Sequence, residues 1–488
     1  MERTDLPYLQ RLFDAFYEVG ALPGGGVTRL GYTELEDEMH RRFADLAKEL
    51  GCTVETDLAG NSYAYLEPAK EHILIGSHLD SVIQGGRYDG VAGVMAGLLL
   101  LKRARENRLS LPLKVEAFRC EESSNFGCCT MGSGLVTHQL REDPEHLARL
   151  TAKNGETLGD VFARRGLSLT PPRITGVKEY LELHIEQGKV LEETGTRVGV
   201  VSTIAGPRRW KLRLTGLAEH SGATPISMRQ DALCAAAEII LAVEKIGRRE
   251  ADLCESVATV GVIQNTPNAL NVVPGAVELG IDLRGSDMDS LSRMERDTLA
   301  AAREICARRN IALAESKLSE MDPVAMDEAV QGGLMAAAGS LGISCRNMPS
   351  GAGHDAMAFA PLFPTGMVFI PCEKGISHNP LESAAMGEHS GRRGRSLGVS
   401  RPRALIPAPS PVAHTYFISG SEEQTDEAKD PCFISKYPGN MRQFARQTAP
   451  LLTFHTASCI MPYVLICGFV CPQIKLGRYD LHGGFLRL

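Results

Sequence analysis

The chain has 488 residues, of which 43% are hydrophobic and 23% charged, with a formal net charge of -7. That length supports roughly two or three domains and a large buried core, and so ordinary a composition excludes a fibrous or wholly disordered architecture. The acidic balance, with a pI near 6.1, excludes the basic field that gathers nucleic acid or anionic lipid, so a small-molecule substrate is expected, with no nucleic acid and no membrane as partner.

Met1 to Gly20 interrupts its apolar residues with Glu2, Asp5, Arg11, Asp14 and Glu18, whereas a signal peptide needs a basic start and an unbroken apolar stretch. The late apolar run Cys459 to Cys471 contains a proline and is well short of the ~20 residues that span a bilayer. The 13 cysteines are scattered without a CxxC pair. Together these features predict a soluble, cytoplasmic protein with reduced thiols.

In chain order, short apolar β-type runs alternate with helical patterns, as in a mainly parallel sheet flanked by helices. His72 to Gly76 reads as a buried strand, Val91 to Glu106 as an apolar helix, and Leu113 to Phe118 as the next strand. From about Gly206 the texture changes to alternating stretches, Trp210 to Leu214 and Val277 to Leu283, with helices around Asp231 to Ile246 and Ser290 to Arg309. This predicts an inserted α/β lid. The first signature resumes near Met326, with a strand at Gly366 to Ile370. The expected α/β organisation is a discontinuous catalytic domain, residues 1–205 and 326–389, around a lid and dimerisation domain, residues 206–325. Beyond Met386, arginines crowd a Gly, Ser and Pro stretch without periodicity, so residues 390–488 are expected to form an atypical, poorly ordered tail.

Five segments place histidine or carboxylate at turns after apolar strands: GSHLDSV with His78 and Asp80, GGRYDGVAG with Asp89, RCEESSNF with Glu121 and Glu122, ELHIEQG with His184, and GISHNPLE with His378. Taken singly each is weak. A histidine after a strand is more often a hydrogen-bonded surface residue than a ligand, a Glu-Glu pair is more often a solvated turn, and Asp89 before Gly90 is an ordinary Asp-Gly turn. Their joint occurrence at the carboxyl ends of strands, where open parallel sheets bind ligands, favours a metal centre. Imidazole nitrogen and carboxylate oxygen suit zinc, manganese or cobalt, and five ligands suffice for two ions if one carboxylate bridges. Asp80, two residues after His78, can hold the other ring N–H of that imidazole, with a structural ion pair as the alternative.

On these segments the chain resembles the hydantoinase/carbamoylase family of amidohydrolases, relatives of the aminoacylase and carboxypeptidase G2 metallopeptidases, over roughly residues 5–386. The resemblance implies two divalent metals, zinc first with manganese or cobalt as alternatives. It implies that Asp89 bridges them, with His78 and His184 on one ion and Glu122 and His378 on the other. Glu121 would be the general base that takes a proton from the attacking water and passes it to the leaving nitrogen, which a free carboxylate beside an occupied one can do. In the lid, GLAEHSGATPISMRQDA carries His220 and Arg229, and NALNVVPGAVELGIDLR carries Asn271 and Arg284. His220 can donate to a developing oxyanion, and Arg284 offers a bidentate fork for a substrate carboxylate, with a surface ion pair as the alternative. Gln187, Arg229, Asn271 and the SGAGHDA segment, including Ala352 and His354, are implied to line the substrate pocket. His220 and Asn271 are also implied to reach a partner subunit's site, which makes a homodimer the expected assembly.

The expected reaction is hydrolysis of a non-peptide C–N bond in a small ureido or N-carbamoyl acid, with N-carbamoyl-L-amino acids first. Allantoate, 3-ureidopropionate, and an aminoacylase or dipeptidase activity follow in that order. A metal-binding scaffold without catalysis is the rival from another class, and Glu121 beside a full ligand set weighs against it.

Overall fold

The computed structural model describes residues 5–140 and 142–384. A nine-stranded sheet is built from β1 (Thr53–Thr56), β2 (Ser62–Tyr65), β3 (His72–His78), β4 (Leu113–Phe118), β5 (Val177–Ile185) and β6 (Val198–Ile204). The chain then leaves for a second sheet, whose strands are β7 (Gly206–Thr215), β9 (Val257–Thr266), β11 (Ala276–Gly285) and β12 (Ala312–Glu320). Two short strands, β8 (Glu219–His220) and β10 (Val272–Val273), pair as a separate ribbon. β13 (Val324–Ala325), β14 (Cys345–Ser350) and β15 (Thr365–Ile370) return to the first sheet.

The first sheet runs β1-β2-β4-β3-β5-β15-β6-β13, with β14 also on β6. Its centre, β4-β3-β5-β15, is parallel, and its margins at β1, β2 and the β15-β6-β13 side are antiparallel. The mainly parallel α/β class read from the sequence is therefore correct for the centre, and the antiparallel margins are additional to it. Because β15 lies between β5 and β6, segments from both sides of the 206–320 excursion complete one sheet.

The central strands read as continuous apolar runs because helices cover both faces. All seven residues of β3 are buried. The helix Val91–Glu106 is buried almost all round and packs on β3, β4 and β5. Its close seat depends on Gly93, where a Cβ would stand 2.5 Å from the Leu183 carbonyl oxygen.

In the second sheet, order β12-β7-β11-β9, every pairing is antiparallel. β11 alternates buried and half-exposed residues along its whole length, the period-two pattern of a sheet with one covered face. Its buried set, Val277, Leu279, Ile281 and Leu283, packs with Ile239, Val243, Leu291 and Met294 from the helices Ala232–Cys254 and Met288–Arg308. The opposite face carries Arg209, Lys211, Glu278, Asp282 and Arg284, tied by ion pairs. Asp231 and Asp287 cap the two helices, accepting from the Leu233, Cys234 and Ser290 amides.

The cysteines among the described residues are free, and among those residues no helix is long and apolar enough to cross a membrane. The tail expected over 390–488 lies outside the described residues.

Candidate metal centre

Four adjacent parallel strands end at the same edge, and their last residues and the loops beyond them carry the sequence-predicted ligands; His78 and His184 lie within strands rather than at the expected turns. His78 closes β3, Glu121 and Glu122 follow β4, His184 is the penultimate residue of β5, and His378 follows β15 across the 371–377 loop. Asp89 comes from the loop between β3 and the helix Val91–Glu106. The backbone at these turns is unusual: Cys120, Gln187 and His378 have φ of 51°, 58° and 52°, in the left-handed region that non-glycine residues seldom adopt. Such conformations persist only where surrounding contacts hold them, and they gather at functional sites. Gly90 has φ 65°, and a Cβ there would lie 2.5 Å from the His78 ring. Glycine at that position lets the Asp89 turn close over the imidazole.

Five residues converge into two groups that share Asp89. In one, His184 Nε2 lies 3.0 Å and His78 Nε2 3.7 Å from Asp89 Oδ1. In the other, His378 Nε2 lies 3.0 Å from Asp89 Oδ2 and 3.1 Å from Glu122 Oε1. Within each group, His78–Asp89–His184 and Asp89–Glu122–His378, the ligand atoms all lie within 4.8 Å of one another. Glu121 stands beside the first group, with Oε2 3.9 Å from His78 Nε2. Four of the five, and Glu121, are buried, while the His378 side chain is 46% exposed, which leaves the site open on that side.

The donor set fits a divalent cation. Asp89 Oδ1 is buried and accepts no hydrogen bond, while two imidazole nitrogens face it. A buried carboxylate oxygen without a donor is costly unless a cation meets it. His184 Nδ1 lies 2.9 Å from the Ile185 carbonyl oxygen, so it donates there and turns the Nε2 lone pair toward Asp89. Although burial opposes it, the Asp80, Glu121 and Asp89 carboxylates hold His78 well above the usual imidazole range. Hydrogen bonds to Asp89 and Glu122 raise His378 to about 10. Despite its burial, Asp89 is held well below the carboxylate range by the histidines around it. Glu121 goes the other way: burial, then the nearby Glu122 and Asp355 carboxylates, outweigh His78 and push it well above that range.

Asp80 does more than the sequence suggested. Its Oδ1 is 3.3 Å from His78 Nδ1, but off line for a hydrogen bond. Its two oxygens accept the Glu121 and Glu122 amides at 3.0 and 3.1 Å, so it fixes the turn that presents both glutamates. From the other side Glu36, fully buried on the helix Glu34–Glu49, accepts the Cys120 amide at 2.8 Å and pairs with Arg119 at 2.9 Å. Sequence reading missed Glu36. It also gave no role to Glu382, which accepts the Tyr88 and Asp89 amides. An acidic residue on the buried side of an otherwise polar helix was the available signal for Glu36.

A profile of the peptidase family M20/M25/M40 matches residues 74–394. The chain is 38% identical to an N-carbamoyl-L-amino acid amidohydrolase of Geobacillus stearothermophilus, over 76% of this chain and 92% of that protein. It is 34% identical to an allantoate amidohydrolase of Bacillus subtilis, over 75% and 90% respectively. A crystal structure of a hydantoinase/carbamoylase family amidase from Burkholderia multivorans superposes with a TM-score of 0.71 at 33% identity, covering 78% of this chain and 93% of that one. The chain belongs to the hydantoinase/carbamoylase amidohydrolases of the M20 family. It is therefore a metal-dependent enzyme acting on C–N bonds, as the sequence resemblance implied.

The remaining residues named from the sequence sit differently in this amidohydrolase. Gln187 joins the centre, its Nε2 3.1 Å from Asp89 Oδ2 and 3.3 Å from His378 Nε2. Arg284 donates from Nε to Asp282 and from Nη1 to the Gly351 carbonyl, both at 2.9 Å, which ties the lid sheet to the SGAGHDA turn. In that turn the Ala352 amide donates to Ser350 Oγ, which also bonds His354 Nε2 at 2.9 Å. His354 is buried, with its ring 4.5 Å from that of His184 in an edge-on contact. Burial, and then His184, keep its pKa well below the usual value, so it packs as a neutral ring. Arg229 is committed to the Thr224 and Ser221 carbonyls of its own loop. His220 is exposed, with Nδ1 accepting from Gly222 and Ala223, and Asn271 is exposed in the turn just before β10, its carbonyl accepting the Ser221 amide. None of these hydrogen bonds of His220 reaches the Asp89 cluster within the described chain.

Proposed function

We propose that the protein hydrolyses N-carbamoyl-L-amino acids at a two-metal site, releasing ammonia, carbon dioxide and the free amino acid for each water consumed. The observation that carries this reading is the pair of ligand groups sharing Asp89, with Glu121 alongside but in neither group. His78, Asp89 and His184 would hold one ion, and Asp89, Glu122 and His378 the other, with zinc, manganese and cobalt all compatible with the donors. Bound divalent ions supply Lewis acidity at the carbamoyl carbonyl and lower the pKa of water. Glu121, raised by burial and its acidic neighbours, takes the proton of the attacking water and returns it to the leaving nitrogen. Arg284 binds the substrate carboxylate, with Gln187, Arg229, Asn271, Ala352 and His354 shaping the pocket.

Residues 206–325 act as lid and dimerisation element between the catalytic parts 1–205 and 326–389. His220 completes the site of a second copy by donating to the oxyanion, with Asn271 beside it. In support, the segments flanking the β8-β10 ribbon carry Leu270, Ile226, Met228 and Leu217, large apolar side chains that are exposed among the described residues. Allantoate is the second reading, favoured by the similarity to the Bacillus subtilis allantoate amidohydrolase.

Metal analysis combined with ammonia release from N-carbamoyl-L-amino acids, allantoate and 3-ureidopropionate tests the proposal. The expected result is two ions per chain and the highest kcat/KM on an N-carbamoyl-L-amino acid. A higher value on allantoate installs the second reading, and bound metal without turnover of any of the three points to a scaffold.

A further inference from the structure

Glu382 is less than a tenth exposed and lies at the end of the GISHNPLE segment. One of its oxygens, Oε1, accepts two consecutive backbone amides from the far end of the sequence, Tyr88 at 2.8 Å and Asp89 at 3.1 Å. The other, Oε2, lies 3.0 Å from Ser377 Oγ, and that hydroxyl is also 3.3 Å from Asp89 Oδ2. One carboxylate thus grips both the turn that presents Asp89 and the turn that presents His378. The surroundings are shaped to admit it. A Cβ at Gly86 would fall 2.0 Å from the Glu382 carboxyl carbon, so any other residue there would displace the side chain.

We propose that Glu382 is a positioning residue that sets the spacing between Asp89 and His378, and through it the affinity of the Asp89–Glu122–His378 group for its ion. This rests on the two-ion reading of the site. The two groups are held by different means. His78 and His184 are the last and next-to-last residues of buried parallel strands whose register fixes them. His378 stands on an irregular loop, half exposed, at φ 52°. Its neighbour Ser377 is the link from that loop to Glu382, and the Glu382 bonds to residues 88 and 89 carry the link to the shared carboxylate. Loss of Glu382 releases the loop but leaves the strand register untouched, so the two ions should respond unequally. Partners of this kind, which touch ligands rather than metal, typically govern affinity by roughly 10- to 100-fold.

The test is titration of the chelator-stripped full chain with cobalt(II), followed by calorimetry and by the visible absorption of the bound ion. Wild type is expected to bind two ions per chain. Glu382→Ala is expected to keep one at near wild-type affinity and to bind the other at least about tenfold more weakly, with an unchanged secondary-structure spectrum. Glu382→Gln, which keeps an oxygen for the two amides, is expected to recover most of the loss. If Glu382→Ala does not fold, Ser377→Ala leaves the Glu382 bonds to residues 88 and 89 intact, cuts the link to the His378 loop together with the hydroxyl's contact to Asp89 Oδ2, and should show the same selective weakening in smaller degree. Equal affinities in wild type and whichever variant folds, or equal weakening of both ions, would overturn the proposal. A wild type that binds fewer than two ions would instead overturn the reading on which it rests.

Discussion

At the edge of the nine-stranded sheet, His78, Asp89, Glu121, Glu122 and His184 are each less than a tenth exposed, and the turns that carry them are tied from behind by Asp80, Glu36 and Glu382. In the lid, His220 stands exposed on a two-residue strand, with its ring nitrogen bonded within its own turn and apolar neighbours facing outward. The first region gathers its ligand groups within one chain, whereas the proposed role of the second requires another copy. Ligands for a charged ion need fixed geometry and therefore a rigid, buried frame. A group that must meet substrate after closure, or meet it in another subunit, needs reach instead.

The largest effect should come from Glu121, the buried carboxylate that stands beside the His78–Asp89–His184 group without belonging to either group. Glu121→Gln is expected to lower kcat about a thousandfold, while metal stoichiometry and the unfolding midpoint stay at wild-type values. Loss of bound metal in this variant would make Glu121 a ligand rather than a base. Next is the frame beneath it. Glu36→Ala removes the acceptor of the Cys120 and Tyr32 amides and one partner of the buried Arg119, so it should cost about 3 kcal/mol in denaturant unfolding and reduce kcat as well. A variant as stable as wild type would show that Asp80 and Asp37 suffice to hold the turn.

The two regions also differed in how far the sequence disclosed them. The strands and helices that deliver the ligands were legible because their periodicity is local: the helix Val91–Glu106 and the strand Leu113–Phe118 have the boundaries that the apolar pattern suggested. The ligand residues were legible because each falls at or just beyond the carboxyl end of such a run, His78 and His184 in the last two strand positions and the others in the loops that follow. Glu36 and Glu382 were not, since their partners Cys120 and Asp89 lie 84 and 293 residues away and nothing in a local pattern encodes such a pairing. The antiparallel margins of the sheet escaped for a related reason. Short strands such as Thr53–Thr56, with three exposed residues of four, carry too little apolar periodicity to reveal their direction.

For the lid, His220→Ala is expected to lower kcat about a hundredfold with metal content unchanged. Mixed with Glu121→Ala chains, it tests reach directly. Random reassortment makes about half of the dimers mixed, each with one intact shared site, so about a quarter of wild-type activity should return. No recovery in demonstrated heterodimers would place His220 in the service of its own chain.

The smallest effect expected is on the pH dependence of stability, and here two buried glutamates, one in each region, should act with opposite sign. Glu250 of the lid helix Ala232–Cys254 is held down to about 2 by hydrogen bonds from Arg293, despite its burial, with Ser290 and Arg249 assisting. Its folded pKa lies below the unfolded value near 4.5, so its contribution is present above that value and is lost as the pH falls from about 4.5 toward 2. Glu36 is pushed up to about 7 by burial and by the Asp80 charge, against Arg119 and the amides of Cys120 and Tyr32. A carboxyl whose folded pKa is raised binds a proton in the folded state that the unfolded chain has already released. Acidification from about 7 to 4.5 should therefore add stability through Glu36, in the same direction as Glu382, also near 7, and Asp355, near 8. Denaturant unfolding of the chelator-treated protein between pH 8 and pH 3, compared with Glu36→Gln and Glu250→Gln, separates the two windows. The Glu36 difference should change with pH only above about pH 4.5, whereas the Glu250 difference should be constant above that value and shrink only below it. A difference curve for Glu250→Gln that is flat in acid would mean that the lid carboxylate is no better held than an exposed one, and a rise in stability with pH through Glu36 would reverse the sign assigned to the floor of the site.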